Sequence, residues 1–254
     1  MDKNSNIRVI PRLDIKKDKL IKGVHLEGLR VIGDPSEFAH SYYTQGADEL
    51  IYIDAVASLY GRNQILEFTK KVAQGVFIPI TVGGGIRSLS DVKDALRSGA
   101  DKVAINSAAV TNPRLIKQVA KHFGSQSIVL SVEAQKTQKQ QWEVLVDNGR
   151  EYTGMDVLTW VKKAIDLGAG EILLTSVDKE GTQSGFDLDL IETVSHSIHV
   201  PLIASGGAGR PSDFVEAIEA GASAAAIASC LHYGHSSIDD FKKAGIENKI
   251  NVRP

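Results

Sequence analysis

Two carboxyl groups and two glycine turns are the chemistry-bearing features of this 254-residue chain. Asp14 and Glu133 each close an apolar run, 8–14 and 127–133, that reads as a strand. Two carboxyls at strand ends facing one mouth can exchange protons on opposite sides of a substrate, as general acid–base chemistry requires. The turns are Thr81-Val82-Gly83-Gly84-Gly85-Ile86-Arg87 and Ala204-Ser205-Gly206-Gly207-Ala208-Gly209-Arg210. Each joins a short apolar run to a helix start, so that successive backbone N–H groups can hold a phosphate. Two copies imply two phosphates. Asn106-Ser107 and Ala228-Ser229 follow the next apolar runs at matching positions, and Gly181-Thr182 adds small and hydroxyl groups to the second site. The candidate phosphate residues are therefore Gly84, Gly85, Asn106 and Ser107 for one site, and Gly181, Thr182, Ser205, Gly206, Gly207 and Ser229 for the other.

Positioning these groups needs a scaffold of alternating elements. Apolar runs at 8–14, 49–54, 78–82, 102–105, 127–133, 171–176, 202–205 and 224–228 read as strands. Helical patterns lie at 35–44, 63–74, 90–98, 113–123, 155–167, 188–195, 211–220 and 237–243. Asp34 before Pro35, Asn112 before Pro113 and Ser212-Asp213 mark helix starts. Continuous apolar strands alternating with helices mean a covered parallel sheet. Eight βα units in about this length fit a (β/α)₈ barrel, with a doubly wound sheet as the other arrangement. The internal repeat favours the barrel. Pro79 and Pro201, Gly84 and Gly206, Asp91 and Asp213, and Gly99 and Gly221 are each 122 residues apart, with no gap. Gly46-Ala47 and Gly168-Ala169 extend the register. The chain reads as one domain over 1–254, made of two similar (β/α)₄ halves, about 7–124 and 125–244, neither able to bury its sheet alone.

Two connections exceed what packing needs. Residues 15–34 carry a lysine-rich stretch before a helix begins. Residues 135–154 contain Trp142 to Val146 and Asn148-Gly149, which read as a small hairpin. Long βα loops on a barrel read as lids or binding loops. At the opposite end, Arg8, Glu49, Lys102 and Glu171 stand at or near strand starts. Pointing inward, they would form a mutually paired ring of alternating charge, since an unpaired buried charge is very costly. Pointing outward, they would be surface charges. The residues themselves leave both arrangements open.

Composition narrows the class. A 43% hydrophobic content supports a sizeable core, and a net charge of −2 argues against a general nucleic-acid or membrane surface. The single cysteine, Cys230, excludes an internal disulfide and reads as a small buried hydrophobe in a reducing cytoplasm. The first residues lack an apolar signal core, and no apolar run reaches the ~18 residues of a membrane span. His232 and His235 have no evident third ligand, so no metal site is expected. No dinucleotide or P-loop motif occurs, and no cofactor is expected.

Over nearly its whole length the chain resembles the cyclase subunit of imidazole glycerol phosphate synthase. The resemblance lies in Ile10-Pro11-Arg12-Leu13-Asp14-Ile15-Lys16, Thr81-Val82-Gly83-Gly84-Gly85-Ile86, Asp101-Lys102-Val103-Ala104-Ile105-Asn106, Gly170-Glu171-Ile172-Leu173-Leu174-Thr175-Ser176 and Ile203-Ala204-Ser205-Gly206-Gly207-Ala208-Gly209. An isomerase of the same pathway shares the barrel and both phosphate sites but matches these motifs less well. The resemblance implies ammonia delivered by a separate glutaminase subunit at the N-terminal face of the barrel. It implies a bis-phosphate substrate yielding imidazole glycerol phosphate and an aminoimidazole carboxamide ribotide. It places Asp14 and Glu133 at the catalytic positions, Lys22 on the substrate-binding first loop, and Arg8, Glu49, Lys102 and Glu171 at an ammonia gate. Three positions depart from the family pattern: Glu133 and Glu180 replace aspartates, and Arg12 replaces a cysteine. A gate and phosphate sites kept beside an altered mouth also fit a paralogue. That paralogue would conduct ammonia to a sugar amidotransferase in surface-polysaccharide synthesis without cyclising anything. Were Arg12 to face the interior, it would pair with a nearby carboxylate and lower its pKa.

Overall fold

The computed structural model describes residues 6–57, 65–138 and 141–253. In chain order its strands are β1 (Arg8–Lys16), β2 (Lys19–Val24), β3 (Glu27–Gly33), β4 (Leu50–Asp54), β5 (Ile80–Gly83), β6 (Lys102–Ile105), β7 (Ile128–Lys136), β8 (Trp142–Val146), β9 (Glu151–Asp156), β10 (Glu171–Ser176), β11 (Leu202–Ser205) and β12 (Ala224–Ile227). Eight of them close a parallel ring: β1 pairs with β4, followed by β5, β6, β7, β10, β11 and β12, which returns to β1. The fold is a (β/α)₈ barrel.

Alternation along each strand builds two apolar layers. Ile10, Ile51, Ala104, Val129, Leu173, Ile203, Ala224 and Ala226 fill the barrel interior. Their neighbours, among them Val9, Leu50, Val103 and Leu130, face outward and pack beneath the helices. Both faces are buried, which is why these strands read as unbroken apolar runs.

The helices start where their caps dictate. Asp34 accepts from the N–H groups of Ser36 and Glu37 at the head of the Pro35–Thr44 helix. The 122-residue spacing recurs as hydrogen bonds. Asp91 accepts from the N–H groups of Arg87 and Ser88, and Asp213 from those of Gly209 and Arg210. Leu50 N–H donates to Pro79 O as Ile172 N–H donates to Pro201 O.

Strand and helix boundaries fall close to the expected ones, with three differences. β1 and β7 do not stop at Asp14 and Glu133; each runs on, to Lys16 and Lys136, because each turns back into an antiparallel partner. The 15–34 connection is a two-stranded arm of β2 and β3, whose buried Leu20-Ile21-Lys22 stretch finds its β3 partner only across a turn. The helix expected over 63–74 is described as Ile65–Val72, ending two residues early, with 63 and 64 outside the described residues. The hairpin expected near 142–149 is β8 and β9.

Candidate active site

The C-terminal ends of the ring strands converge on one mouth. Its first cavity lies over β4, β5 and β6 and is lined by Asp54, Gly84, Gly85, Arg87, Asn106, Ser107 and Glu133, among others. A second lies over β10, β11 and β12 and is lined by Glu180, Gly181, Ser205, Gly206, Gly207 and Ser229. The glycines are dictated by close approach. Gly84 has φ +88°, and a Cβ there would sit 2.3 Å from Asp54 O. Its counterpart Gly206 has φ +90°, with a Cβ 2.7 Å from Ser176 O. A side chain fits neither place. In the first cavity the Asn106 side-chain oxygen is buried with no hydrogen-bond partner among the described residues. The Ser107 hydroxyl accepts from Asp147 N–H, tying the β8–β9 hairpin to this cavity.

Between the cavities lies a buried cluster of five ionisable side chains: Arg12, Asp14, Lys22, Glu133 and Glu180. Arg12 points into the barrel. Its Nε donates to Asp14 Oδ1 at 2.9 Å, and its Nη1 donates to Thr175 Oγ1 at 2.9 Å and Ser205 Oγ at 3.0 Å. Lys22, carried inward by the β2–β3 arm, donates to Asp14 Oδ2 at 3.4 Å and to Glu180 Oε1. Burial pushes the Asp14 carboxyl up, but Arg12 and Lys22 outweigh it and hold it below the usual range. Glu133 has no such counter-ion. It accepts from Gly149 N–H at 2.8 Å, and burial pushes it up to about 7 against that bond and the pull of Arg12. One mouth thus holds a carboxyl kept low by cations and another raised to near neutrality, the separation that acid–base chemistry near neutral pH uses.

His232 sits behind this cluster. Its Nε2 lies 3.1 Å from the Arg12 carbonyl and its Nδ1 2.7 Å from the Tyr42 hydroxyl. A carbonyl only accepts, so Nε2 carries the proton and Nδ1 accepts from Tyr42. Burial lowers this imidazole to about 4. Cys230 is buried.

Two of the expected substrate- and phosphate-binding residues do not line either cavity. Thr182 does not line the second cavity, because its hydroxyl is turned to Lys179 O and Ser184 Oγ. Lys22 lies in the ionic cluster between the cavities, because two carboxylates compensate its burial there. Of the other residues at the mouth, Asp54 was not singled out, Arg87 and Thr175 stood only inside longer motifs, and His232 was weighed only as a metal ligand. Asp54 ends β4 and was legible by the rule that promoted Asp14; the contacts of Thr175 and His232 with Arg12 have no local signal.

At the other end of the barrel, Arg8 donates to Glu49 at 2.8 Å and Glu171 at 2.7 Å, and Lys102 lies 3.0 Å from Glu49 and 2.8 Å from Glu171. The four close an alternating ring in which each charge faces two of opposite sign. This resolves the inward-or-outward question in favour of the interior.

Residues 8–237 match the model of a protein family described as histidine biosynthesis protein. The chain is 62% identical over 210 residues to the imidazole glycerol phosphate synthase subunit HisF of Legionella pneumophila, covering 83% of this chain and 99% of that protein. It is 50% identical to the subunit of the same name from Streptococcus mutans, over 97% of this chain and 98% of the relative. With one from Bacillus cereus it shares 49% identity over the same proportions. With the barrel, the twin glycine cavities and this similarity along nearly its whole length, the chain belongs to the histidine biosynthesis family, among the HisF subunits of imidazole glycerol phosphate synthase.

Proposed function

We propose that the chain is the cyclase subunit of imidazole glycerol phosphate synthase and acts as a lyase in histidine biosynthesis. The observation that carries this reading is the Asp14 and Glu133 carboxyl pair set between two glycine-lined cavities, in a chain of this family. The cavities take the two phosphates of a long substrate: Gly84, Gly85, Asn106 and Ser107 at one end, and Gly181, Ser205, Gly206, Gly207 and Ser229 at the other. Fixed at both ends, the substrate presents its middle to the carboxyls, which converts attack by ammonia into a positioned reaction. Ammonia comes from a glutaminase subunit docked on the strand-start face. There Arg8, Glu49, Lys102 and Glu171 form the gate, beside a broad depression lined by His196, Ile198, His199 and Pro201. The recurrence of the same hydrogen bonds 122 residues apart supports reading the barrel as two (β/α)₄ halves, about 7–124 and 125–244.

The test is cyclisation of the phosphoribulosyl-formimino bis-phosphate by the purified protein, with ammonium salt in place of the partner. Turnover is expected, and Asp14→Asn or Glu133→Gln should each lower it by about a hundredfold or more. Failure to turn over while still binding the substrate would overturn the reading.

One observation favours a second reading. Arg12 fills the interior just below the mouth and occupies Asp14. A barrel so altered could serve as an ammonia conduit for a sugar amidotransferase, with its cavities kept and its cyclisation lost. Ammonia delivered to such an enzyme, without cyclisation, is the result that would select it.

A further inference from the structure

We propose that Arg12 is a positioning residue that divides the work of the two carboxyls: it pins Asp14 as a fixed, charged acceptor and leaves Glu133 to carry the proton. The inference rests on the cyclase reading and concerns the site's own departures from its family. Its geometric basis is the distribution of counter-ions. Arg12 is anchored on three strands at once, by Asp14 on its own strand, Thr175 on β10 and Ser205 on β11. A guanidinium so held presents a rigid fork, and its Nε is committed to Asp14. Lys22 approaches the same carboxylate from the arm and shares its charge with Glu180.

Glu133 sees a different surround. From β1 it faces Arg12 and Asp14, whose opposite effects on it offset one another in sign. The β8–β9 hairpin offers only the Gly149 N–H, while Asp147 of the same turn gives its N–H to Ser107. In the first cavity stand Asp54 and Arg87; Arg87 Nη2 is directed to Ala57 O. Lys22 and Glu180 pair with each other, and neutral His232 lies behind Arg12. No cation forms an ion pair with Glu133 among the described residues. A buried carboxyl without a counter-ion is stable as the acid, whereas one held by two cations is stable as the anion.

The reaction needs this division. Ammonia adds to the ketone carbon of the ribulosyl chain, and the hydroxyl so formed leaves as water, gaining one proton while nitrogen gives one up. The resulting imine nitrogen then bonds to the formimino carbon as that carbon's bond to the carboxamide ribotide nitrogen breaks, the leaving nitrogen gaining the protons that the closing ring loses. A neutral Glu133 donates to the departing oxygen and then recovers a proton from nitrogen, so the site ends as it began. Asp14, permanently ionised, accepts hydrogen bonds from the substrate and holds it in register.

Infrared titration of the carboxyl C=O stretch tests the pairing without turnover. The wild-type protein should show one protonated carboxyl titrating near neutrality, and the band should vanish in Glu133→Gln. In Arg12→Met a second protonated carboxyl, removed by Asp14→Asn, should emerge above about pH 5. Arg12→Lys, which restores a cation, should suppress it again and guards against mere misfolding of Arg12→Met. In the cyclisation assay, with rates expressed per free ammonia, Arg12→Met should lower kcat by about tenfold or more, a larger change than in the bis-phosphate KM. An Asp14 that stays ionised to the same pH without Arg12 overturns the proposal, as does a near-neutral band that survives Glu133→Gln. Absence of cyclisation in the wild type overturns the cyclase reading itself, a failure told apart by an infrared titration that runs as expected.

Discussion

The buried pair of Glu133 and His232 gives the protein two opposed acid–base linkages over nearly one pH window. Glu133 is raised from 4.5 to about 7. In that interval the unfolded chain releases a proton that the folded chain keeps, so stability falls as pH rises, by on the order of 3 kcal/mol in total. His232 is lowered from 6.5 to about 4. Here the unfolded chain takes up a proton that the folded chain refuses, so stability falls as pH falls, by a similar amount, on the order of 3 kcal/mol. The two slopes nearly cancel in the wild type. Denaturant midpoints should therefore vary little between about pH 4.5 and 6.5, yet rise with pH in Glu133→Gln and decline with pH in His232→Gln. Parallel pH dependence in all three proteins would contradict this. The sequence made Asp14 and Glu133 legible because both stand where apolar runs end. It made the interior placement of Arg12 conditional, and only the strand register decides it. The roles of Thr175 and His232 depend on side chains 163 and 220 residues from Arg12 in sequence, a relation that no local pattern encodes.

At the scale of elements, the β2–β3 arm is the connection whose length reads as a lid or binding loop but whose two strands have no local signal. It is tied across the mouth by Lys22 to Asp14 and Glu180, by His25 N–H to Glu180 O and its Nδ1 to Val177 O, and by Asn148 Nδ2 to Leu26 O. Gly181 is the pivot. Its φ is +76°, and a Cβ there would stand 2.2 Å from Gly23 O on the arm. Gly181→Ala should push the arm off its seat while leaving the barrel folded. Limited proteolysis should then cut within 16–33 several times faster, and the bis-phosphate should bind about tenfold or more weakly, since Lys22 leaves with the arm. Unchanged cleavage together with unchanged binding would show that the arm does not depend on this contact. The rest of the element pattern was legible because barrel strands and their capping residues carry local signals. The arm carries none, since β3 is half-exposed and its order comes from pairing with β2.

On the scale of the whole molecule, the barrel stacks a charged layer at each end around an apolar one. Glu49→Gln would leave the Arg8 and Lys102 cations with Glu171 as their one charged partner in the floor ring, and should cost about 3 kcal/mol of stability in a denaturant titration. The same substitution has an electrical consequence. The floor ring carries two charges of each sign, and the interior layer of Ile10, Ile51, Val129, Leu173 and Ile203 separates it from the mouth. Such a stack is a capacitor with a poor conductor between its plates. Arg8 and Arg12 are four residues apart on one strand, roughly 13 Å. One uncompensated charge across that distance is worth about 1 kcal/mol at an effective dielectric constant near 20. Removing a negative charge from the floor should therefore draw the Glu133 titration down by about one pH unit. By the same field, a protein docking on the floor that pulls a single side chain out of the ring would shift the acid at the far end with no strand displaced.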